Sequence, residues 1–266
     1  MSRWKRRMCT LIALHRCVSG APLVIAANRD EYSGRPSEGP ALRDTASGII
    51  LAPRDLRAGG TWLGVNSSGL FAAVTNRACA SPDPSRRSRG LLVLDALSAG
   101  SASDAAERFE RLPADAYNPF NLFLADRDTA HVISYADTPE RSDLQPGAHV
   151  IGNARYGDST PKLERQRKWA EQAARVPAQR VLDRLADICR DHEGENALAA
   201  TCVHAGAYGT QSSTLLRMDA PPGNSELRYL EGTPCTSEYE DFTPLLWRLG
   251  LQSGSITGEF TVRNDR

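Results

Sequence analysis

The chain has 266 residues, 41% hydrophobic and 24% charged, with 32 basic residues balanced by 32 acidic ones. A chain of this size buries roughly three quarters of its unfolded surface, so it needs no disulfide or metal staple, and disorder over its bulk is excluded. Zero net charge argues against recognition of nucleic acid by the whole molecule, and no apolar run reaches the ~18–20 residues that span a bilayer.

In chain order, the basic start MSRWKRR leads into an apolar run from Met8 to Leu14 that ends at His15 and Arg16. It stands at the bottom of the length range of a secretory signal and lacks the cleavage signature, so a cytoplasmic location is expected. Thr10–Leu14 and Leu23–Ala27 read as strands around a turn with Gly20 and Pro22. Ile49–Ala52, Thr61–Val65 and Leu70–Thr75 follow as strands, the last two as a hairpin over Asn66–Gly69. The polar loop Ser81–Gly90, with Arg86, Arg87 and Arg89 as a solvated face, precedes helices over Leu91–Leu97 and Ser103–Arg111. Asn121–Ala125 and Ala130–Tyr135 read as a strand pair, and His149–Gly152 as another strand. Pro161 opens a helix with a weak apolar face of Leu163, Trp169 and Ala170. Gln179–Arg190 is a better amphipathic helix, with Val181, Leu182, Leu185 and Ile188 at helical spacing. Ser212–Leu216 and Leu227–Leu230 return to strand. Strands, then helices, then strands predict an α+β fold with helices packed on sheet faces. The expected organisation is an N-terminal extension over 1–8, one domain over 9–250 and a tail over 251–266.

The six cysteines, Cys9, Cys17, Cys79, Cys189, Cys202 and Cys235, form no CxxC pair, and the five histidines form no HxxxH or HxH pair. Neither a disulfide framework nor a structural zinc site is expected, and no metal is assigned.

Cys9 follows Met8 immediately before the first strand. Were Met8 the initiator and trimmed, Cys9 would carry both a thiol and an α-amine, whose ordinary pKa of about 7.7–8.0 suits a general base. Nucleophile and base on one carbon dispense with a separate histidine; the alternative is a strand cysteine buried as a small hydrophobe. Asn28, Arg29, Asp30 and Glu31 follow an apolar strand, either as a site at a strand end or as a solvated turn. Asn76 ends another apolar strand, either as a turn residue or as a donor to a developing oxyanion, a role worth about 2.7–4 kcal/mol. Asn153 in VIGNA and the hydroxyl cluster YGTQSST (208–214) complete the candidates.

The ordered motifs MCTLIAL, AANRDEYSGRP, GGTWLGVNSSGLFAAVTNR, YNPFNLFLAD, VIGNA and YGTQSSTLL resemble the NRDE family, the group of transport and Golgi organisation protein 2, from about Met8 to Phe242. More distantly the chain is similar to the choloylglycine hydrolases (bile salt hydrolases and penicillin V acylases), N-terminal-nucleophile (Ntn) hydrolases. That likeness implies a four-layer αββα sandwich with two mainly antiparallel sheets. It implies Cys9 as nucleophile, Asp30 as the carboxylate beside it, Asn76 on the oxyanion side and Asn153 as a later active-site amide. Arg29 joins the catalytic set only if the backbone is locally shifted, because Ala27 stands where the related enzymes place their arginine before the asparagine. Asn28, Trp62 and Gln211 are expected to bind substrate, with Gln211 standing where many relatives carry arginine.

Two functions stay open on this reading. One is a cofactor-free cysteine amidohydrolase acting on a small linear amide; residues 1–7 then imply a misplaced start or a removed peptide. The other is a non-catalytic member of the family in haem or lipid handling or secretory organisation, with His15 or His204 as the convenient haem ligands.

Overall fold

The computed structural model describes residues 9–79, 81–220 and 222–251; the expected extension, and all but the first residue of the expected tail, lie outside them. Two antiparallel sheets face each other, with helices on both outer surfaces. The first sheet contains β1 (Thr10–Val18), β2 (Ala21–Tyr32), β10 (Gly147–Ile151), β11 (His204–Ala205), β12 (Tyr208–Met218), β13 (Glu226–Glu231) and β14 (Glu240–Asp241). Its order is β10-β1-β2-β12-β13-β14, with β11 paired to β12. The second runs in chain order from β3 (Ser37–Thr45), β4 (Gly48–Asp55), β5 (Leu63–Asn66) and β6 (Phe71–Asn76) to β7 (Phe120–Ala125), β8 (Ala130–Tyr135) and β9 (Pro139–Asp143).

Alternation of side chains along each strand sorts the apolar residues into three layers. Leu11, Ala13, Leu23 and Ile25 face Leu63, Val65, Phe71 and Phe123 between the sheets. Ile12, Leu14, Val24 and Ala26 pack outward against Val181, Leu182 and Leu185 of α4 (Ala178–Arg190). Ile50, Ala72, Leu122 and Leu124 pack outward against α1 (Arg89–Ala96) and α2 (Ala102–Phe109) through Leu92, Val93 and Phe109. Strands covered on both faces read as mostly apolar runs, and β7 and β8 are buried at every position, their polar residues Asn121, His131 and Ser134 included. The fold is therefore a four-layer αββα sandwich, as the resemblance implies.

Several boundaries depart from expectation. Asn28–Glu31 does not follow a strand; it lies inside β2, which continues to Tyr32, with its polar side chains held by the helical layer and the cleft described below. β3 escapes the hydropathy pattern because it is an edge strand whose register shifts between Glu38 and Ala41, around Gly39-Pro40. The short β11 and β14, the edge strand β9 and α5 (Thr243–Arg248) also lack an apolar run to announce them. α3 (Pro161–Ala173) starts as expected, with Thr160 Oγ1 accepting the Leu163 N–H at 3.2 Å. Its buried stripe, however, is Lys162, Gln166, Ala170 and Ala173, so two polar residues lead the inward face.

Candidate active site

Cys9 sits one residue before Thr10, which pairs with Asn28 across β1 and β2. Its thiol lies 3.7 Å from the Asp30 carbonyl oxygen, a long contact for a weak S–H donor. The thiol opens on a cleft of about 320 Å³ whose lining includes Cys9, Arg29, Asp30, Trp62 and Asn76. Five of the eight expected site residues thus come together.

Alternation along β2 divides its polar segment. Arg29 faces the gap between the sheets, and its guanidinium carbon lies 4.5 Å over the Trp62 ring. One guanidinium nitrogen, Nη1, is buried without a hydrogen bond among the described residues. No shift of β2 is needed for this: β2 pairs with β1 in continuous register from Asn28 to Leu23. The irregularity is on the facing strand, where β12 shifts between Thr210 and Ser212 opposite Asp30 and Arg29. Gln211 is the extra residue, its amide donating to the Gly209 carbonyl at 3.3 Å, and it does not line the cleft.

Asn28 and Asp30 face the helical layer instead. The Asn28 amide donates to the carbonyls of Cys189 and Thr201 at 2.9 and 3.0 Å, so it holds α4 to the sheet and does not line the cleft. Asp30 accepts a 2.6 Å hydrogen bond from Thr210 Oγ1. Its main counter-charge is the buried Lys162 ammonium, near the start of α3, where a cation opposes the helix dipole. Asp30 Oδ2 and Lys162 Nζ are both buried without a hydrogen bond among the described residues. Burial pushes the Asp30 carboxyl up to about 7 despite the nearby ammonium, and the same burial pushes Lys162 down.

Burial, then the Asp30 charge, push the Cys9 thiol up to about 12; the Asp30 carbonyl contact and Arg29 act the other way. A thiol held this high is protonated at neutral pH, so it would act as a nucleophile only beside a proton acceptor.

Asn153 lies behind Asn76: its amide donates to the Asn76 carbonyl, and its own carbonyl accepts from Ala78 N–H at 3.2 Å. Asn153 thus fixes the end of β6 and does not itself line the cleft. The outer rim is ionic. Arg35 pairs with Glu31 and Asp55, while Arg86 and Arg87, expected as a solvated face, pair with Asp115 and Asp95 on the cleft wall.

Sequence reading missed the layer beneath Cys9. Gln166 reaches Thr10 Oγ1 at 3.4 Å and Thr201 Oγ1 at 3.0 Å, and Tyr208 Oη donates to the Asp30 carbonyl at 3.2 Å. A signal was present: Lys162 and Gln166 stand at i and i+4 on a helix whose apolar face is thin. His15 is buried in β1 and does not line the cleft.

The family model described as Transport and Golgi organisation 2 matches residues 8–233. The Transport and Golgi organization 2 homolog of Mus musculus is 30% identical over 262 residues, covering 87% of this chain and 93% of its own. The Homo sapiens homolog is 29% identical, covering 74% and 82% respectively. Among solved structures, the Caenorhabditis elegans N-acylethanolamine-hydrolyzing acid amidase ortholog superposes with a TM-score of 0.54 at 13% identity, over 78% of this chain and 92% of that one. A variant of the conjugated bile acid hydrolase from Clostridium perfringens gives 0.51 at 12% identity, over 88% and 96%. No helix among the described residues is long and apolar enough to cross a membrane.

Proposed function

The chain belongs to the Transport and Golgi organisation 2 family, and from that premise we propose that it is an Ntn-type cysteine amidohydrolase cleaving the C–N bond of a small linear amide. The observation that carries the reading is the convergence of the Cys9 thiol, the Arg29–Trp62 wall and Asn76 on one cleft. Cys9 Sγ attacks the substrate carbonyl carbon, and the S–H proton passes to the α-amine of a Cys9 freed of the preceding residues. The Asn76 amide and a backbone N–H hold the oxyanion. The α-ammonium returns the proton to the leaving nitrogen, the C–N bond breaks, and a thioester remains. Water then attacks the thioester, releasing the acid and restoring the thiol.

Because the thiol is held up near 12, a base carried by the nucleophile's own residue answers the site's need for a proton acceptor. Asp30 positions Cys9 through its backbone carbonyl. Arg29, with a buried N–H still to be satisfied, favours a substrate bearing an anionic group near the amide. The test is to express the chain from Met8, establish by mass spectrometry that Cys9 is N-terminal, and treat it with an electrophilic amide or lactone. Labelling of Cys9 supports the reading; equal labelling of Cys9→Ala overturns it.

A further inference from the structure

Away from the cleft, His192, Cys202, His204 and Cys235 each bring one ligand atom to within 4.8 Å of the other three. His204 Nε2 lies 3.2 Å from Cys235 Sγ and 3.5 Å from Cys202 Sγ, and the two imidazole rings stand 5.1 Å apart. A tetrahedron built on Zn–N and Zn–S bonds of about 2.0–2.3 Å has edges of about 3.3–3.8 Å. The cluster is already at that scale, and its longest separation needs to contract by only about 1 Å to close around an ion.

We propose that these four side chains form a structural Zn²⁺ site. Two thiolates and two imidazoles are the donor set of closed tetrahedral zinc centres, and the two thiolate charges neutralise the ion. On binding, both S–H bonds release their protons to solvent, the imidazoles coordinate as neutral ligands, and nothing is oxidised or reduced. All four positions are filled by protein, so the ion fastens and does not catalyse.

The ligands come from segments already pinned together. Cys202 N–H donates to the Asp191 carbonyl at 2.8 Å, tying it to the residue before His192. Arg190 Nε donates to the Pro234 carbonyl at 3.0 Å, holding the Cys235 turn to the end of α4. A disulfide between Cys202 and Cys235 would use the same sulfurs but leave both histidines without a role. The ion would also brace Thr201, the next residue, whose carbonyl receives Asn28 and whose hydroxyl receives Gln166. It therefore acts behind the strand that carries Asp30. The spacing escapes CxxC and HxxxH searches because the fold, not a local motif, gathers the ligands.

The full chain, purified without chelator, is analysed for metal content and, after metal removal, titrated with Co²⁺. About one equivalent of bound metal, tetrahedral thiolate–Co²⁺ absorption bands, and protection of Cys202 and Cys235 from alkylation by added Zn²⁺ are expected. Cys235→Ser and His204→Ala should lose the bands while Cys17→Ser keeps them. Cys235→His, which preserves four ligands, should retain cobalt binding with weaker thiolate absorption. The alkylation readout uses the unaltered chain, so a variant that fails to fold does not blunt the test. A metal-free chain that takes up neither Co²⁺ nor Zn²⁺, or an intact mass two hydrogens light that maps to a Cys202–Cys235 disulfide, overturns the site. Neither result bears on Cys9, so the hydrolase reading stands or falls separately.

Discussion

The Arg29 guanidinium carbon stands 4.5 Å over the Trp62 indole, so a strand of one sheet touches the strand entry of the other across the cleft. This contact desolvates a cation that has one N–H still unsatisfied. Cation–π contact of this kind is worth about 0.5–2 kcal/mol, and a charge-assisted hydrogen bond to substrate about 1.5–3 kcal/mol. Arg29→Met is expected to raise KM for an anionic amide by roughly tenfold to a hundredfold while changing KM for its neutral ester analogue far less. Equal losses on both substrates would show that Arg29 serves only to build the wall.

Cys9 reactivity should respond to its two charged neighbours in opposite directions. Asp30 raises the thiol pKa and Arg29 lowers it, so Asp30→Asn yields more thiolate at a given pH and Arg29→Met yields less. Iodoacetamide rates should therefore rise in the first variant and fall in the second. The Asp30→Asn gain should emerge only above pH about 7, where the wild-type carboxyl ionises. Rates that move together in both variants would indicate access, not charge, as the cause.

The buried Asp30–Lys162 pair makes stability depend on pH. Asp30 is raised on folding to about 7, so its contribution is complete below its unfolded value near 3.9 and is lost as pH rises through about 7. Below about pH 7 the carboxyl is protonated and leaves the buried Lys162 without an ionised partner; above about pH 7 it ionises and gives Lys162 a counter-charge. Lys162→Met should thus raise Tm near pH 5, with the gain shrinking or reversing by about pH 8. Thermal scans at both pH values check the sign, and a pH-independent difference would count against the pair.

Gly60 meets Gly90 backbone to backbone at the cleft. A Cβ on Gly60 would sit 2.3 Å from the Gly90 carbonyl carbon, and neither side can yield as a flexible side chain would. Gly60→Ala should push α1 outward, lowering Tm and slowing Cys9 labelling together. Gly34→Ala, with open space around it, should change neither.

Phe120 stacks on Tyr135 with ring centroids 5.0 Å apart and is fully buried. Phe120→Ala should destabilise the chain by about 3–5 kcal/mol in denaturant unfolding, without altering the Cys9 pH profile beyond the fraction folded.

Hydropathy made the inner strands legible because burial on both faces leaves β7 and β8 mostly apolar, with only Asn121, His131 and Ser134 as buried polar breaks, and α4 because its apolar residues keep strict helical spacing. It was silent on β3, whose Gly39-Pro40 bulge tolerates an exposed edge. It misplaced the end of β2, since Asn28 and Asp30 are polar yet enclosed, each hydrogen-bonded to groups distant in the chain. Motif order located Cys9, Arg29 and Asn76, whereas Lys162 and the His/Cys cluster depend on contacts that only the folded chain creates.

Before the irregularity in β12, Thr210 is directed at the helical layer; after it, Leu215 is directed there too, although an uninterrupted strand would turn these positions to opposite sides. Gln211 thus works as a phase boundary between the chemical end of the strand and its packing end. Excising that single residue would force one end to surrender its orientation, either turning Leu215 into the layer between the sheets or withdrawing Thr210 from Asp30, whereas exchanging its side chain leaves the count intact. Length at this position is constrained more tightly than identity.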